Sequence, residues 1–246
     1  HWGRPLSAPE TLLGAYDAQN PQRVSGALDY TPWPSVLPTQ SESWIGADRF
    51  DVRRDGRKLF CKFIVSDISA TNVEAGNAYD MTVKDGYPQW NIADRSKATP
   101  TIVVTAEDAE QGVKIIWTCE LDISGLVRQK ATVINTGSGK LEVGNVELAY
   151  TLPADVTEIL TTTGHHLRER SPQRQPLTVG RFEKVSMVGR PDFDATLLLS
   201  VGETGFGFTR GEVYSAHVGW SGNSVLSVER LPYTAGVLGG GEILLG

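Results

Sequence analysis

The stretch Val113–Ile123 constrains the fold more than any other, because apolar and polar side chains alternate along it. The polar side of the pattern carries mainly charged and hydroxyl residues, and the apolar side carries Val113, Ile115, Trp117, Cys119, Leu121 and Ile123. A period of two is typical of a β-strand with one buried face. The same period recurs from about residue 48 to the end of the chain, in runs separated by glycine-rich turns. The sequence therefore predicts a chain built from strands.

Helix signals are weak. Only Ala106–Gln111 could form a helical turn, and it lacks a second apolar stripe. We therefore predict an all-β fold, a large antiparallel sandwich of two sheets with about 15–18 strands. The turn Thr136–Gly139 is expected to join two neighbouring strands. The stretch Gly211–Asn223, GEVYSAHVGWSGN, is expected to be a strand that enters a tight hairpin, with its aromatic residues mainly used for packing.

The N-terminal part of the chain differs in composition from the rest. Residues 1–47 are rich in proline, serine and tryptophan, and prolines at this density keep a chain out of helices and central strands. We therefore expect a single domain over residues 1–246, with an extended arm at 1–47 and a sandwich body at 48–246. Trp33 lies between two prolines, which hold it extended. Such aromatic side chains stack on sugar rings or anchor protein interfaces.

Charge and composition exclude several classes of function. The net charge is -6 and no basic block occurs, so a nucleic-acid partner is not expected. No apolar run is long enough for a bilayer and no secretory signal is visible, which predicts a cytoplasmic protein without a membrane partner. Cys61 and Cys119 lie in apolar runs, which favours two buried thiols over a disulfide. Without a CxxC pair we expect no metal and no cofactor.

Three groups of residues could contribute to a metal site or to catalysis. Adjacent His165–His166 would point to opposite faces of a strand and would not share a metal. Ser221 near His217 lies outside a nucleophile elbow. Asp192 and Asp194 could pair as in a glycosidase, but carboxylates in loops are usually solvated, and their separation is not visible in a sequence. We predict no catalytic residue in this chain.

The stretch Gly164–Leu177, GHHLRERSPQRQPL, concentrates charge around proline. One interpretation is a solvated turn whose ion pairs contribute little, and composition alone favours it. The other is a guanidinium network that holds an interdomain surface. Its members would be Arg168, Glu169, Arg170 and Arg174.

Four stretches, taken together, resemble one known family. They are HWG at the start, Leu28–Asp29 with Leu37–Pro38 and WIGADRF at 44–50, then GHHLRERSPQRQPL, and finally GEVYSAHVGWSGN. The last two are long, gapless matches. In this order they resemble the N-terminal β-supersandwich domain, of the galactose mutarotase-like type, of glycoside hydrolase family 36 α-galactosidases. GRPDFDATLLLS stands where the family has Ser-His-Gln-His-Asn-Pro.

The resemblance implies a retaining hydrolase that removes terminal α-linked galactose from raffinose-type sugars. In this family a (β/α)₈ barrel follows the sandwich and carries both catalytic carboxylates, so the resemblance implies that this chain alone is inactive. The chain lacks an initial Met and ends on the apolar run GGGEILLG, which we interpret as a piece of a longer protein. The alternative is a free-standing carbohydrate-binding or adhesive module.

The implied partners are galactose-containing oligosaccharides and the protein's own barrel. The segment before Leu28–Asp29 is shorter than in tetrameric family members, so homo-oligomerisation is left open. We place the arm at the rim of an active-site cleft, its own or a neighbour's, where it would limit substrate length. The residues assigned to substrate are Asp29, Tyr30, Trp33 and Trp44, and those assigned to the interface are Arg168, Glu169, Arg170 and Arg174.

Overall fold

The computed structural model describes residues 36–42, 44, 46–71, 81–84, 87–90, 100–122, 124–153, 155–191, 193, 198–232 and 236–243. The side chains of 42 and 81–90 are not described. Three of the residues assigned to substrate therefore lie outside the described residues: Asp29, Tyr30 and Trp33.

The described residues contain one short 3-10 helix, Gln40–Glu42, and sixteen strands. The strands are β1 Phe50–Arg54, β2 Arg57–Lys58, β3 Ile64–Thr71, β4 Met81–Lys84, β5 Tyr87–Trp90, β6 Thr101–Asp108, β7 Val113–Leu121, β8 Val127–Asn135, β9 Leu141–Thr151, β10 Glu158–His165, β11 Arg168–Pro176, β12 Gly180–Ser186, β13 Leu198–Gly202, β14 Val213–His217, β15 Ser224–Arg230 and β16 Val237–Ile243.

The chain forms two compact units. The described residues up to Lys58 and from Glu142 onward form the first unit, and Leu59–Leu141 fall in the second. The second unit holds a four-stranded sheet in the order β3-β6-β7-β8 and the hairpin β4-β5. In its sheet Ile102, Val104 and Ala106 pair with Cys119, Trp117 and Ile115, so the alternation of β7 aligns apolar side chains on one face, as period two requires.

The first unit is a two-sheet antiparallel sandwich. Its six-stranded sheet has the order β12-β15-β16-β9-β1-β2, and its four-stranded sheet has the order β11-β10-β13-β14. Both sheets contribute to one buried cluster, with Ile159, Leu199 and Val201 from the smaller sheet and Val228 and Leu238 from the larger. Alternating side chains from two facing sheets form such a core. The predicted all-β antiparallel fold is confirmed.

Two hairpins that the sequence predicted do not form, because in each case the two consecutive strands belong to different sheets. The turn Thr136–Gly139 connects β8, in the sheet of the second unit, to β9, in the six-stranded sheet of the first. Likewise β14 pairs with β13, whereas β15 pairs with β12 and β16. Alternation along a strand fixes which face is buried, but not which strand lies beside it. The stretch GEVYSAHVGWSGN therefore crosses from one sheet to the other, with Tyr214 packed on the core and Trp220 50% exposed.

Both cysteines are free; Cys61 is buried, as predicted, whereas Cys119 is only half-buried. Burial, with a smaller contribution from Glu120, raises the pKa of the Cys119 thiol. No helix in the described part of the chain has the length and apolar character of a membrane span.

Candidate functional site

Residues 36–49 form a loop whose two ends are fixed to the same strand. The backbone N–H of Ala149 donates to the carbonyl of Val36, and the N–H of Glu147 donates to the carbonyl of Arg49, both at 2.8 Å. These two donors are two residues apart in β9. We call residues 36–49 the anchored loop, because β9 holds both its entrance and its exit.

Trp44 lies within the anchored loop and is half-buried. Its indole N–H donates to the carbonyl of Ala47 at 2.8 Å. A Cβ atom on Gly46 would lie 2.5 Å from its ring, so glycine is needed there for close packing. The guanidinium carbon of Arg49 lies 6.0 Å from the ring centroid. The assignment of Trp44 to substrate stays a prediction, and its polar atom is already used inside the loop.

Arg49 is the most buried charged residue that the structure describes, with 0% of its side chain exposed. Its guanidinium contacts Glu147 of β9 at 3.4 Å, and Ser227 and Glu229 of β15 at 3.2 and 3.3 Å. The second carboxylate oxygen of Glu229 accepts from the backbone N–H of Ala47 at 2.8 Å. Two strands, β9 and β15, thus hold one side chain of the anchored loop, and both also hold its backbone.

A second arginine completes this cluster. Arg181 of β12 donates to Glu147 at 2.7 Å and to Glu183 at 2.8 Å, and Asn145 donates to Glu147 at 3.1 Å. We call Arg49, Arg181, Glu147, Glu229, Ser227 and Asn145 the Arg49 network. Its two arginines balance its two glutamates, which is the condition for burying charge at a tolerable cost.

The two arginines respond differently to their surroundings. Burial lowers the pKa of Arg49, against the opposing effect of Glu147. For Arg181, burial acts in the same direction, but Glu147 and Glu183 outweigh it and raise the pKa. Both guanidinium groups remain charged at neutral pH, because arginine titrates far above it.

The network is suited to holding a loop and not to acid or base catalysis. The buried carboxylates of the described residues are Asp108, Glu147 and Glu229. Asp108 accepts from the backbone N–H groups of Lys62 and Gln111, and both glutamates contact arginine. A catalytic carboxylate must be able to exchange a proton with substrate or to attack it as a nucleophile, and these three are committed to internal contacts. No cluster of three metal-binding side chains occurs among the described residues.

The residues assigned to an interface separate into two places. Arg168, Glu169 and Arg170 lie exposed at the tip of the β10–β11 hairpin. Arg174 instead pairs with Glu158 and donates to the carbonyl of Phe206 at 2.8 Å. Its guanidinium carbon lies 4.5 Å from the centroid of the Phe206 ring. Arg174 therefore fixes a turn inside the first unit, whereas the three tip residues are exposed, with Glu169 accepting from the backbone N–H of Leu167 at 2.8 Å.

The hairpin tip belongs to an end of the first unit that exposes large apolar side chains. Strand pairing places the tip, the start of β13 and the end of β14 at one end of their sheet. The segments that connect the two sheets there, after β12 and after β14, carry further apolar residues, and β16 ends on the same side. We call this the hairpin end, and its exposed apolar residues are Leu167, Met187, Val188, Phe193, Leu198 and Trp220.

The Arg49 network was not predicted from the sequence. A usable signal existed, because Glu147 and Glu229 interrupt the apolar runs NVELAY and VLSVER. Charged residues inside a buried strand require partners of opposite charge. Arg49 beside Phe50 would have been the matching cation.

The chain is similar to known proteins over most or all of its length. The family model described as the glycosyl hydrolase family 36 N-terminal domain matches residues 1–246. The alpha-galactosidase of Escherichia coli is 26% identical over 145 residues, which are 59% of this chain and 20% of that protein. The chain thus spans about a fifth of this curated relative.

Solved structures share the fold at lower identity. The GH36 alpha-galactosidase AgaA of Geobacillus stearothermophilus, in a variant bound to raffinose, superposes with a TM-score of 0.73 and 16% identity over 98% of this chain and 34% of its own. The alpha-galactosidase of Lactobacillus brevis superposes with a TM-score of 0.70 and 16% identity, over 90% of this chain and 30% of its own.

Proposed function

The chain belongs to the N-terminal domains of glycosyl hydrolase family 36, and from that membership we propose that it is the non-catalytic part of a retaining α-galactosidase. The observation that carries the proposal is the match of the family model over residues 1–246. The proposed substrates are oligosaccharides with a terminal α-linked galactose, such as the raffinose bound to the AgaA variant. The internally paired carboxylates of the described residues support a non-catalytic role. The cytoplasmic location stays a prediction.

The activity is tested by comparing two proteins, the full-length product of the gene and residues 1–246 alone. We expect the full-length protein to release galactose from raffinose and from an aryl α-galactoside. Residues 1–246 should give no turnover above a buffer blank on either substrate. Turnover by residues 1–246 that survives repurification would contradict the non-catalytic role. A full-length protein that is inactive on both substrates would contradict the proposed α-galactosidase activity.

We further propose that the hairpin end is the surface that receives the catalytic barrel. Three features support this. Its tip carries Arg168, Glu169 and Arg170, and the two guanidinium groups can form directional hydrogen bonds with a partner's carboxylates and carbonyls. Apolar side chains surround the tip. Strand β16 ends at Ile243 on the same side. Arg174 would support this surface indirectly, through Glu158 and Phe206. Whether the same end also contributes to a homo-oligomer is left open.

Replacing Arg170 by alanine is expected to destabilise the full-length protein by about 1 kcal/mol and to leave residues 1–246 alone unchanged, since only the former has the interface. Arg170 has a φ of 57°, and alanine carries a similar backbone strain, so the change isolates the side chain. Lys130→Ala, at an exposed position of the second unit, is the control. Thermal unfolding of the wild type and the two variants, each in both lengths, measures the effect. Equal shifts in both lengths would place Arg170 outside an interdomain contact.

We also propose that the arm residues Asp29, Tyr30 and Trp33 lie at the rim of the substrate cleft. The stiffness of the Pro-Trp-Pro sequence supports this, because a pre-organised aromatic side chain loses little entropy on stacking against a sugar. Trp44 would then serve the rim from inside the anchored loop.

A further inference from the structure

We infer that Arg49 is a positioning residue for oligosaccharide binding: through Glu147 and Glu229 it fixes the anchored loop, and with it the point at which the arm joins the sandwich. The inference rests on the proposed function, because it assumes that the arm lies at the substrate rim. Arg49 itself would not contact substrate, since its side chain is fully buried.

The connection between Arg49 and the arm is short. Trp33 precedes Val36 by three residues, and three residues of chain reach at most about 11 Å. The carbonyl of Val36 is held by Ala149, and the carbonyl of Arg49 is held by Glu147, two residues away in the same strand. Any shift of the anchored loop along β9 therefore displaces Val36, which lies three residues after Trp33.

The chemistry of the network explains why an arginine stands at this position. A guanidinium group is planar and its donors are fixed in direction. Contacts with Glu147 on one strand and with Glu229 on another therefore define both the place and the orientation of the side chain. Glu229 adds a third constraint by accepting from the N–H of Ala47. An apolar side chain of similar volume would fill the space without this directional hold.

Two variants of the full-length protein separate positioning from simple loss of stability. Arg49→Met and Arg181→Met each remove one arginine from Glu147, but only Arg49 belongs to the anchored loop. If the anchored loop is correctly placed in only about a tenth of the Arg49→Met molecules, the KM for raffinose rises about tenfold. The kcat and KM for an aryl α-galactoside should change less than about twofold, because this small substrate does not reach the rim. Arg181→Met should lower the melting temperature and leave the ratio of the two KM values at the wild-type value.

Hydrogen exchange gives a readout that does not depend on activity. The amide of Ala149 bonds to the anchored loop, so it should exchange faster in Arg49→Met than in Arg181→Met. If Arg49→Met does not fold, two milder variants replace it. Arg49→Lys keeps the positive charge but loses the planar set of guanidinium donors. Glu229→Gln keeps an acceptor for the N–H of Ala47 but loses the ion pair with Arg49. Both should show the same changes to a smaller degree.

The outcomes are distinguishable. Equal changes in the KM ratio for the Arg49 and Arg181 variants, or none in either, would overturn the inference. Trp33→Ala reports on the rim by itself. If Trp33→Ala raises the raffinose KM and Arg49→Met does not, the rim assignment of Trp33 is supported and the positioning role of Arg49 is refuted. If the wild-type protein hydrolyses neither substrate, the proposed function fails together with the substrate role, and the Ala149 exchange rates still decide whether Arg49 holds the loop.

Discussion

Arg49→Met is expected to lower the free energy of unfolding of residues 1–246 by about 3 kcal/mol, because it leaves two buried glutamates with fewer positive partners. This loss of stability lies at the low end of the range expected when one partner of a buried ion pair is removed. Glu147 keeps Arg181 and Asn145, and Glu229 keeps the backbone N–H of Ala47. Urea unfolding followed by tryptophan fluorescence measures the change.

The control for this experiment is Arg53→Met. Arg53 pairs with Asp51, but 52% of its side chain is exposed, and exposed ion pairs contribute at most about 1 kcal/mol. If both arginine variants lose the same small amount of stability, burial of the Arg49 network does not matter to folding, and its structural role is refuted.

Gly241→Ala is expected to cost about 3 kcal/mol, since overpacking against atoms that cannot move is the expensive case. A Cβ atom at Gly241 would lie 1.8 Å from the carbonyl oxygen of Val146 and 3.0 Å from the Cα of Glu147. Both neighbours are backbone atoms of β9. Strand β16 cannot shift to relieve the overlap, because it is bonded to β9 on one side and to β15 on the other.

Gly219→Ala is the matched control for the glycine experiment. A Cβ atom at Gly219 would meet nothing within 4 Å, so this variant should unfold at the same urea concentration as the wild type, or slightly higher. A Gly241→Ala protein as stable as Gly219→Ala would mean that β16 tolerates side chains at its centre, contrary to the structure.

The sequence predicted the strands better than their arrangement. The alternation in Val113–Ile123 gives β7 almost residue for residue, because burial of one face selects the apolar positions. The same signal could not predict that β8 and β9 belong to different sheets, or that β14 and β15 do. Which strands become neighbours in a sheet depends on packing between residues far apart in the chain, and the sequence of a single strand does not identify its partner.

The candidate site shows a similar limit. Four residues assigned to the interface share one motif, yet Arg174 turns inward to Glu158 and Phe206 whereas the hairpin tip is exposed. The direction of each side chain depends on the pairing of β10 with β11 and on a turn with positive φ at Leu167 and Arg170. Arg49 could be linked to Glu147 and Glu229 only through the fold, since 98 and 180 residues separate them.

Those separations also bear on how the protein is made. During synthesis from the N-terminus, Arg49 leaves the ribosome first, Glu147 follows 98 residues later, and Glu229 follows after 180 residues. At the typical rate of about 5–20 residues per second, the wait for Glu229 lasts on the order of ten seconds or longer. The six-stranded sheet is likewise incomplete until β15 and β16 have been translated. The anchored loop is thus synthesised before both strands that hold Arg49, so a ribosome stalled before residue 224 would carry a nascent chain in which this arginine lacks the contacts supplied by β15.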